Sequence, residues 1–206
     1  MKINPIIYLL CFVLVLNGCK TLNKDECKTG DWETIGYEDG LRGELRSRVG
    51  QHREACAKHG VKIDLQSYNA GYDSGLTLYC QASNGYKMGL SGRVYNSVCP
   101  VELEADFLLG YHEGRDIYDL KRQLTQIEQT LINNTKSIET ADTQIKLYKN
   151  EMLLDSTTAE RRLQLWELIE TENIKIDELE QNRTELEDEL DVIKQEIDTN
   201  VSSTSF

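Results

Sequence analysis

The sequence predicts a mostly α protein: a small disulfide-stapled helical domain followed by a long antiparallel coiled-coil hairpin. Three observations carry this. Thirteen of the fourteen glycines lie between Gly30 and Gly114, and beyond Gly114 there is neither glycine nor proline. Cys56, Cys80 and Cys99 fall in that glycine-rich stretch, and Cys27 lies three residues before it. From Ile117 onward apolar residues recur at alternating steps of three and four, the spacing of a coiled-coil seam. The segments read as a leader over 1–18, a tether over 19–28, a glycine-rich domain over 29–116, a helical arm over 117–199 and a disordered tail over 200–206.

At the N-terminus, Lys2 precedes an apolar run of eleven residues, Ile6 to Leu16. A spanning helix needs about 20 apolar residues, so the run is a signal-peptide core rather than a membrane span. Leu16-Asn17-Gly18-Cys19 resembles the lipobox of bacterial lipoproteins, in which a branched residue and two small ones precede a lipid-accepting cysteine. The resemblance implies cleavage before Cys19, acylation of that cysteine (palmitate included) and attachment to a membrane through this N-terminal lipid. Multiple acyl chains anchor stably where one is marginal. The bland alternative is an ordinary signal peptide with a coincidental cysteine. Lys20 stands where enterobacterial sorting would read Asp as an inner-membrane sign. By that resemblance the expected place is the outer membrane, facing the periplasm.

With Cys11 in the leader and Cys19 under lipid, four cysteines remain in an exported domain of about a hundred residues, which reads as two disulfides. Three pairings exist. Sequential pairing, Cys27 with Cys56 and Cys80 with Cys99, is favoured because short loops close most easily.

Within the domain, Gly-Tyr-x-x-Gly occurs four times, at Gly36–Gly40, Gly71–Gly75, Gly85–Gly89 and Gly110–Gly114. Two copies share a wider frame, since Tyr68, Gly71, Tyr72, Gly75 and Tyr79 are spaced as Phe107, Gly110, Tyr111, Gly114 and Tyr118. Asp64 can cap a helix over Leu65 to Tyr79, and Pro100 suits the first turn of another. On a helix, glycines four apart share a face and leave a notch. Each interior glycine costs about 1 kcal/mol relative to alanine, so something must approach those backbones closely. Close helix packing is the first reading of Gly36, Gly40, Gly71, Gly75, Gly85, Gly89, Gly110 and Gly114. A ligand notch for an envelope glycan or lipid is the second, and turns with positive φ are the third.

In the arm, Ile117, Leu120, Leu124, Ile127, Leu131, Asn134, Ile138, Ala141, Ile145, Tyr148 and Met152 form one seam. Leu165, Ile169, Glu172, Ile176, Leu179, Arg183, Leu186, Leu190, Ile193 and Ile197 form a second. The register breaks at Asp155-Ser156-Thr157-Thr158, where Thr157 and Glu160 have capping-box spacing. Two long helices joined by four polar residues predict an antiparallel hairpin. An interrupted rod that pairs with another chain, giving a homo-oligomer, is the runner-up. Asn134, Glu172 and Arg183 are polar seam residues of the kind that fix register. Charge is uneven: Thr158 to Thr199 holds 5 basic against 14 acidic residues, which accounts for nine of the twelve net negative charges. This argues against nucleic acid as a partner and against binding anionic lipid through the arm.

The sequence carries no catalytic or cofactor motif. His52, Cys56 and His59 could join Cys27 around a metal, but in an oxidising compartment the disulfide reading is stronger, and no metal or cofactor is expected. Asp31, Glu38, Asp39 and Glu113 could form a carboxylate pair for glycan hydrolysis, though solvated surface acids are far commoner. Gly89-Leu90-Ser91-Gly92 has the wrong phase for a nucleophile elbow.

Several motifs in order carry a family resemblance. They are Cys27-x-x-Gly30-Asp31-Trp32, Ile35-Gly36-Tyr37-x-Asp39-Gly40-x-x-Gly43, His52-Arg53-x-x-Cys56, Tyr79-Cys80-x-x-x-Asn84-Gly85 and Tyr95-x-x-x-Cys99-Pro100. From Cys27 to Tyr118 the chain resembles the bacterial lipoproteins catalogued as domain of unknown function 2799. The resemblance implies a small cysteine-containing envelope domain and no known activity, and it does not reach the arm. The expectation is therefore a structural or interaction lipoprotein whose arm contacts another envelope protein. The rival is a ligand-binding module using the glycine notches, and an enzyme ranks last.

Overall fold

The computed structural model describes residues 22–204, all of it helix and loop with no strand among them. The leader and Cys19 lie outside the described residues. Helix α1 (Lys24–Thr29) falls where a tether was expected. Asn23 explains it: its side chain accepts the backbone N–H groups of Asp25 and Glu26, and the Glu26 carboxylate accepts the Asn23 N–H at 2.6 Å. This capping box closes the first turn, Gly30 ends the helix at φ 62°, and Cys27 is fully buried.

Five helices follow: α2 (Trp32–Leu41), α3 (Arg48–Ala57), α4 (Leu65–Tyr79), α5 (Ala82–Leu90) and α6 (Val101–Met152), with α7 (Ala159–Ser203) last. Their starts follow from capping chemistry. Asp31 accepts the Thr34 N–H at 3.1 Å, and Asp64 accepts those of Gln66 and Ser67 at 3.0 and 3.1 Å. The helix expected over Leu65 to Tyr79 has those bounds. Pro100 opens α6, its carbonyl accepting the N–H groups of Leu103 and Glu104, both at 2.9 Å.

The chain forms two compact units. One holds the chain up to Gly85 together with Val94–Leu109; the other holds Tyr86–Arg93 together with Gly110 onward. The compositional boundary at 116 is thus not a break in the backbone, because α6 runs through it without interruption.

In the first unit α2 packs along α4. Two disulfides staple it: Cys27–Cys56, with Cα atoms 5.4 Å apart, and Cys80–Cys99, at 5.7 Å. Each closes a loop that could stabilise the fold by about 3 kcal/mol. Tyr68, Tyr72, Leu76, Tyr79 and Phe107 form the apolar interior, with the Tyr79 ring stacked on Phe107 at 5.4 Å.

In the second unit α6 and α7 fold back on each other as a hairpin. Every seam residue expected from the sequence is buried or half-buried. Ile127, Leu190 and Ile193 form one core cluster, with Leu120, Leu124, Leu131, Leu186 and Ile197 against it. Two details differ from expectation. The N-cap of α7 is Thr158, which accepts the Arg161 N–H at 3.2 Å, while Thr157 donates its hydroxyl to the Glu151 carbonyl at 2.6 Å. The tail expected to be disordered from 200 is helical as far as Ser203. No glycine or proline stops it, and Ser202 returns its hydroxyl to the Asp198 carbonyl within the helix at 2.7 Å.

Asn134 is buried in the seam and donates to Asn182 at 2.8 Å. A buried seam amide, here paired with an exposed one, fixes register at a cost in stability. Asn134→Leu is therefore expected to stabilise the chain by about 1 kcal/mol while loosening its pairing. Thermal melting combined with light scattering should show a higher Tm and a broader mass distribution. A lower Tm would mean that the amide contributes stability rather than register.

Candidate functional site

A Cβ built on Gly36 or Gly40 would fall inside the carbonyl oxygens of Tyr68 or Tyr72 on α4; one on Gly71 or Gly75 would strike those of Glu33 or Tyr37 on α2. The contact is reciprocal, backbone against backbone. In the second unit Gly89 and Gly114 do the same, against the carbonyls of Tyr111 and Tyr86. Gly85 and Gly110 are buried. These six faces are filled by a neighbouring helix, as in small-residue helix interfaces. Beside Gly71 a shallow depression remains, lined by Asp31, Glu33, Thr34, Tyr37 and Ser74.

The two contacts are copies of one design. Gly36, Gly40 and Gly43 are spaced as Gly85, Gly89 and Gly92, and the last glycine of each triple takes a positive φ, 66° and 68°. Gly43 backs onto the Tyr79 ring as Gly92 backs onto the Tyr118 ring. The Tyr72 hydroxyl donates to the Glu44 carbonyl as the Tyr111 hydroxyl donates to that of Arg93. The sequence frame showed only the second helix of each pair; the first helix has its own.

At two buried positions the copies part company. Asp39 of α2 corresponds to Met88 of α5, and Tyr68 of α4 to Phe107 of α6. Both apolar counterparts are buried, and so is Asp39, at 1% exposure. His52 Nε2 lies 2.7 Å from the Asp39 carboxylate, the Tyr68 hydroxyl donates to it at 2.9 Å, and Arg48 Nε lies 3.4 Å away. Burial pushes the Asp39 carboxyl up, but hydrogen bonds from His52 and Tyr68, with the charges of His52 and Arg48, outweigh it and hold it below the ordinary carboxylate range. Burial and the Asp39 charge raise the Tyr68 phenol. His52 Nδ1 is buried without a hydrogen-bond partner. The cluster was missed as a unit, since its members sit on three helices. Its one sequence sign was that Asp39 shares a helix face with Gly36 and Gly40.

The other sequence candidates do not converge. Cys27 and Cys56 spend their sulfurs on each other, so the metal set with His52 and His59 loses its thiolates. Among the described residues no group of three His, Cys, Asp or Glu side chains could hold a metal. Asp31 caps α2, Glu38 pairs with Arg42 at 3.3 Å, Asp39 is buried, and Glu113 lies in the other unit.

Residues 31–116 match the family model described as a protein of unknown function, DUF2799. The glycine-rich region is a DUF2799 domain. The match covers all four Gly-Tyr-x-x-Gly helices and the Asp39 cluster, and stops one residue short of Ile117, where the arm's seam starts. No curated protein and no solved structure matches the chain. The arm lies outside the DUF2799 match. Its tip, between α6 and α7, is tightly held. Arg161 pairs with Glu151 at 2.8 Å, and Arg162 donates to the carbonyls of Thr157 and Leu154, both at 3.2 Å.

Proposed function

We propose that this chain is a cell-envelope lipoprotein, anchored by lipid on Cys19, whose helical arm serves as a structural or protein-interaction module. The observation that carries the reading is the arm itself. Its seam is satisfied within one chain, which leaves a rigid pre-organised surface on its outer faces, and pre-organisation lowers the entropic cost of docking. Two disulfides in the DUF2799 domain fit an oxidising envelope compartment. The ligand-notch alternative loses support because backbone occupies the glycine faces it required. No observation favours a hydrolase, and the reading assigns no catalytic residue.

The anchor has a direct test. Cells expressing the wild-type chain and fed labelled palmitate should yield a labelled, membrane-bound protein, whereas Cys19→Ala should carry no label. Label retained in Cys19→Ala would refute the anchor.

A further inference from the structure

We infer that the face of the α2–α4 pair carrying Leu41 and Leu78 is a docking surface for an amphipathic helix of another protein, lying antiparallel to α4 and ending in basic residues. The surface belongs to the DUF2799 domain and goes beyond the arm reading above.

The duplicated helix pair shows what such a face takes. Ser74 and Leu78 of α4 hold the places of Glu113 and Ile117 of α6, and Leu41 of α2 holds that of Leu90 of α5. In the second unit a third helix covers this face. The last turns of α7 run antiparallel along α6: Asn200 and Ser203 line a small recess with Glu113 and Asp116, and Ile197 joins Leu120 against the seam's core cluster. Ile117 is accordingly 0% exposed, and Leu90 and Glu113 are half-buried. In the first unit the same positions are bare. Leu78 is 45% exposed, Leu41 43%, and Ser74 is exposed as well. The shallow depression lined by Tyr37, Gly71 and Ser74 opens on this side. The difference follows from chain connectivity, because α6 continues into the hairpin that returns α7 to this face, whereas α4 stops at Tyr79.

Charge gives the occupant its polarity. Helices α2 and α4 run parallel, since Gly36 meets Tyr68 and Gly40 meets Tyr72. A helix seated on α4 as α7 is seated on α6 therefore points its C-terminus toward the start of α2, where Asp31 and Glu33 line the depression. A helix C-terminus carries partial negative charge and favours Lys or Arg in its last turn, and two carboxylates opposite strengthen that preference. The second pair has Ala82 where Glu33 stands, and α7 ends without a basic residue. The α7 of a second copy, acidic and already seated on its own α6, does not match this end; a basic-ended helix of another protein does.

The test uses the chain from Lys20 to Phe206, which keeps every described residue, and a dye-labelled peptide copying Leu186–Thr204. The peptide is made with the native sequence and with Asp198→Lys plus Ser202→Lys. By fluorescence anisotropy the lysine peptide should bind about fivefold more tightly than the native one. Leu41→Glu with Leu78→Glu, at exposed positions, should keep the helical circular dichroism and weaken binding about tenfold or more. Glu33→Lys should erase the advantage of the lysine peptide. No binding of the lysine peptide, or binding unchanged in the leucine variant, overturns the proposal. A dimer of the chain alone that the leucine variant abolishes also overturns it, in favour of a second copy.

Discussion

Gly71→Ala is expected to destabilise the folded domain by roughly 3 kcal/mol, near the top of the range for overpacking, while Gly50→Ala stabilises it by about 1 kcal/mol. Both are helical glycines, and helix propensity alone would favour alanine at each. The difference lies in what stands opposite. At Gly50 nothing comes within 4 Å of a new Cβ. At Gly71 it would meet the Glu33 carbonyl, with the Tyr37 nitrogen at 2.9 Å. Backbone atoms cannot rotate aside as a side chain can, so α2 and α4 must separate, and Tyr68 and Tyr72 lose contacts along the whole crossing. Gly114→Ala should show the same loss in the second unit, because its Cβ meets the Tyr86 carbonyl. Denaturant melts of the three variants read the signs. A rise in Tm for Gly71→Ala would mean an open notch and would restore the ligand reading.

Asp39→Ala is expected to cost roughly 3–5 kcal/mol, the usual penalty for removing one partner of a buried ionic cluster. The deletion strands the buried His52 and leaves the Tyr68 hydroxyl without its acceptor. The duplicated helix pair supplies the complementary test, since Met88 and Phe107 hold the equivalent places without charge. Asp39→Met with Tyr68→Phe and His52→Leu should recover most of the loss, as apolar replacements of whole buried ion clusters often do. The pH dependence has a definite sign. Asp39 has its carboxyl depressed in the fold, so its contribution is present above the unfolded carboxylate value of about 3.9 and disappears as pH falls through the lower folded value. Wild-type stability should therefore drop steeply in acid below about pH 4, and that part of the slope should be absent in the triple variant. An equal slope in both would remove Asp39 as its source.

Much of this was legible in the sequence because helices announce themselves periodically. The three-four spacing from Ile117 placed both seams, and Asp64 placed the start of α4. The four Gly-Tyr-x-x-Gly copies showed that something must approach the backbone. They did not show which helix approaches which, since all four present the same face. The α1 capping box at Asn23 went unread because polar residues before a cysteine look like linker. Thr157 and Thr158 are chemically alike, so one residue of slippage in the cap was invisible. The Asp39 cluster was hidden for a different reason: His52 and Tyr68 come to Asp39 from 13 and 29 residues away, on helices whose pairing was unknown.

If the arm is the working end of the chain, a photo-crosslinking residue placed there in living cells should capture neighbours. Replacement of Leu153 or Leu163 at the exposed tip should give adducts in the membrane fraction. The same residue at Leu65, exposed on the DUF2799 domain, should give few. Adducts arising only from Leu65 and Leu78, with the tip silent, would contradict that assignment and move the function to the domain.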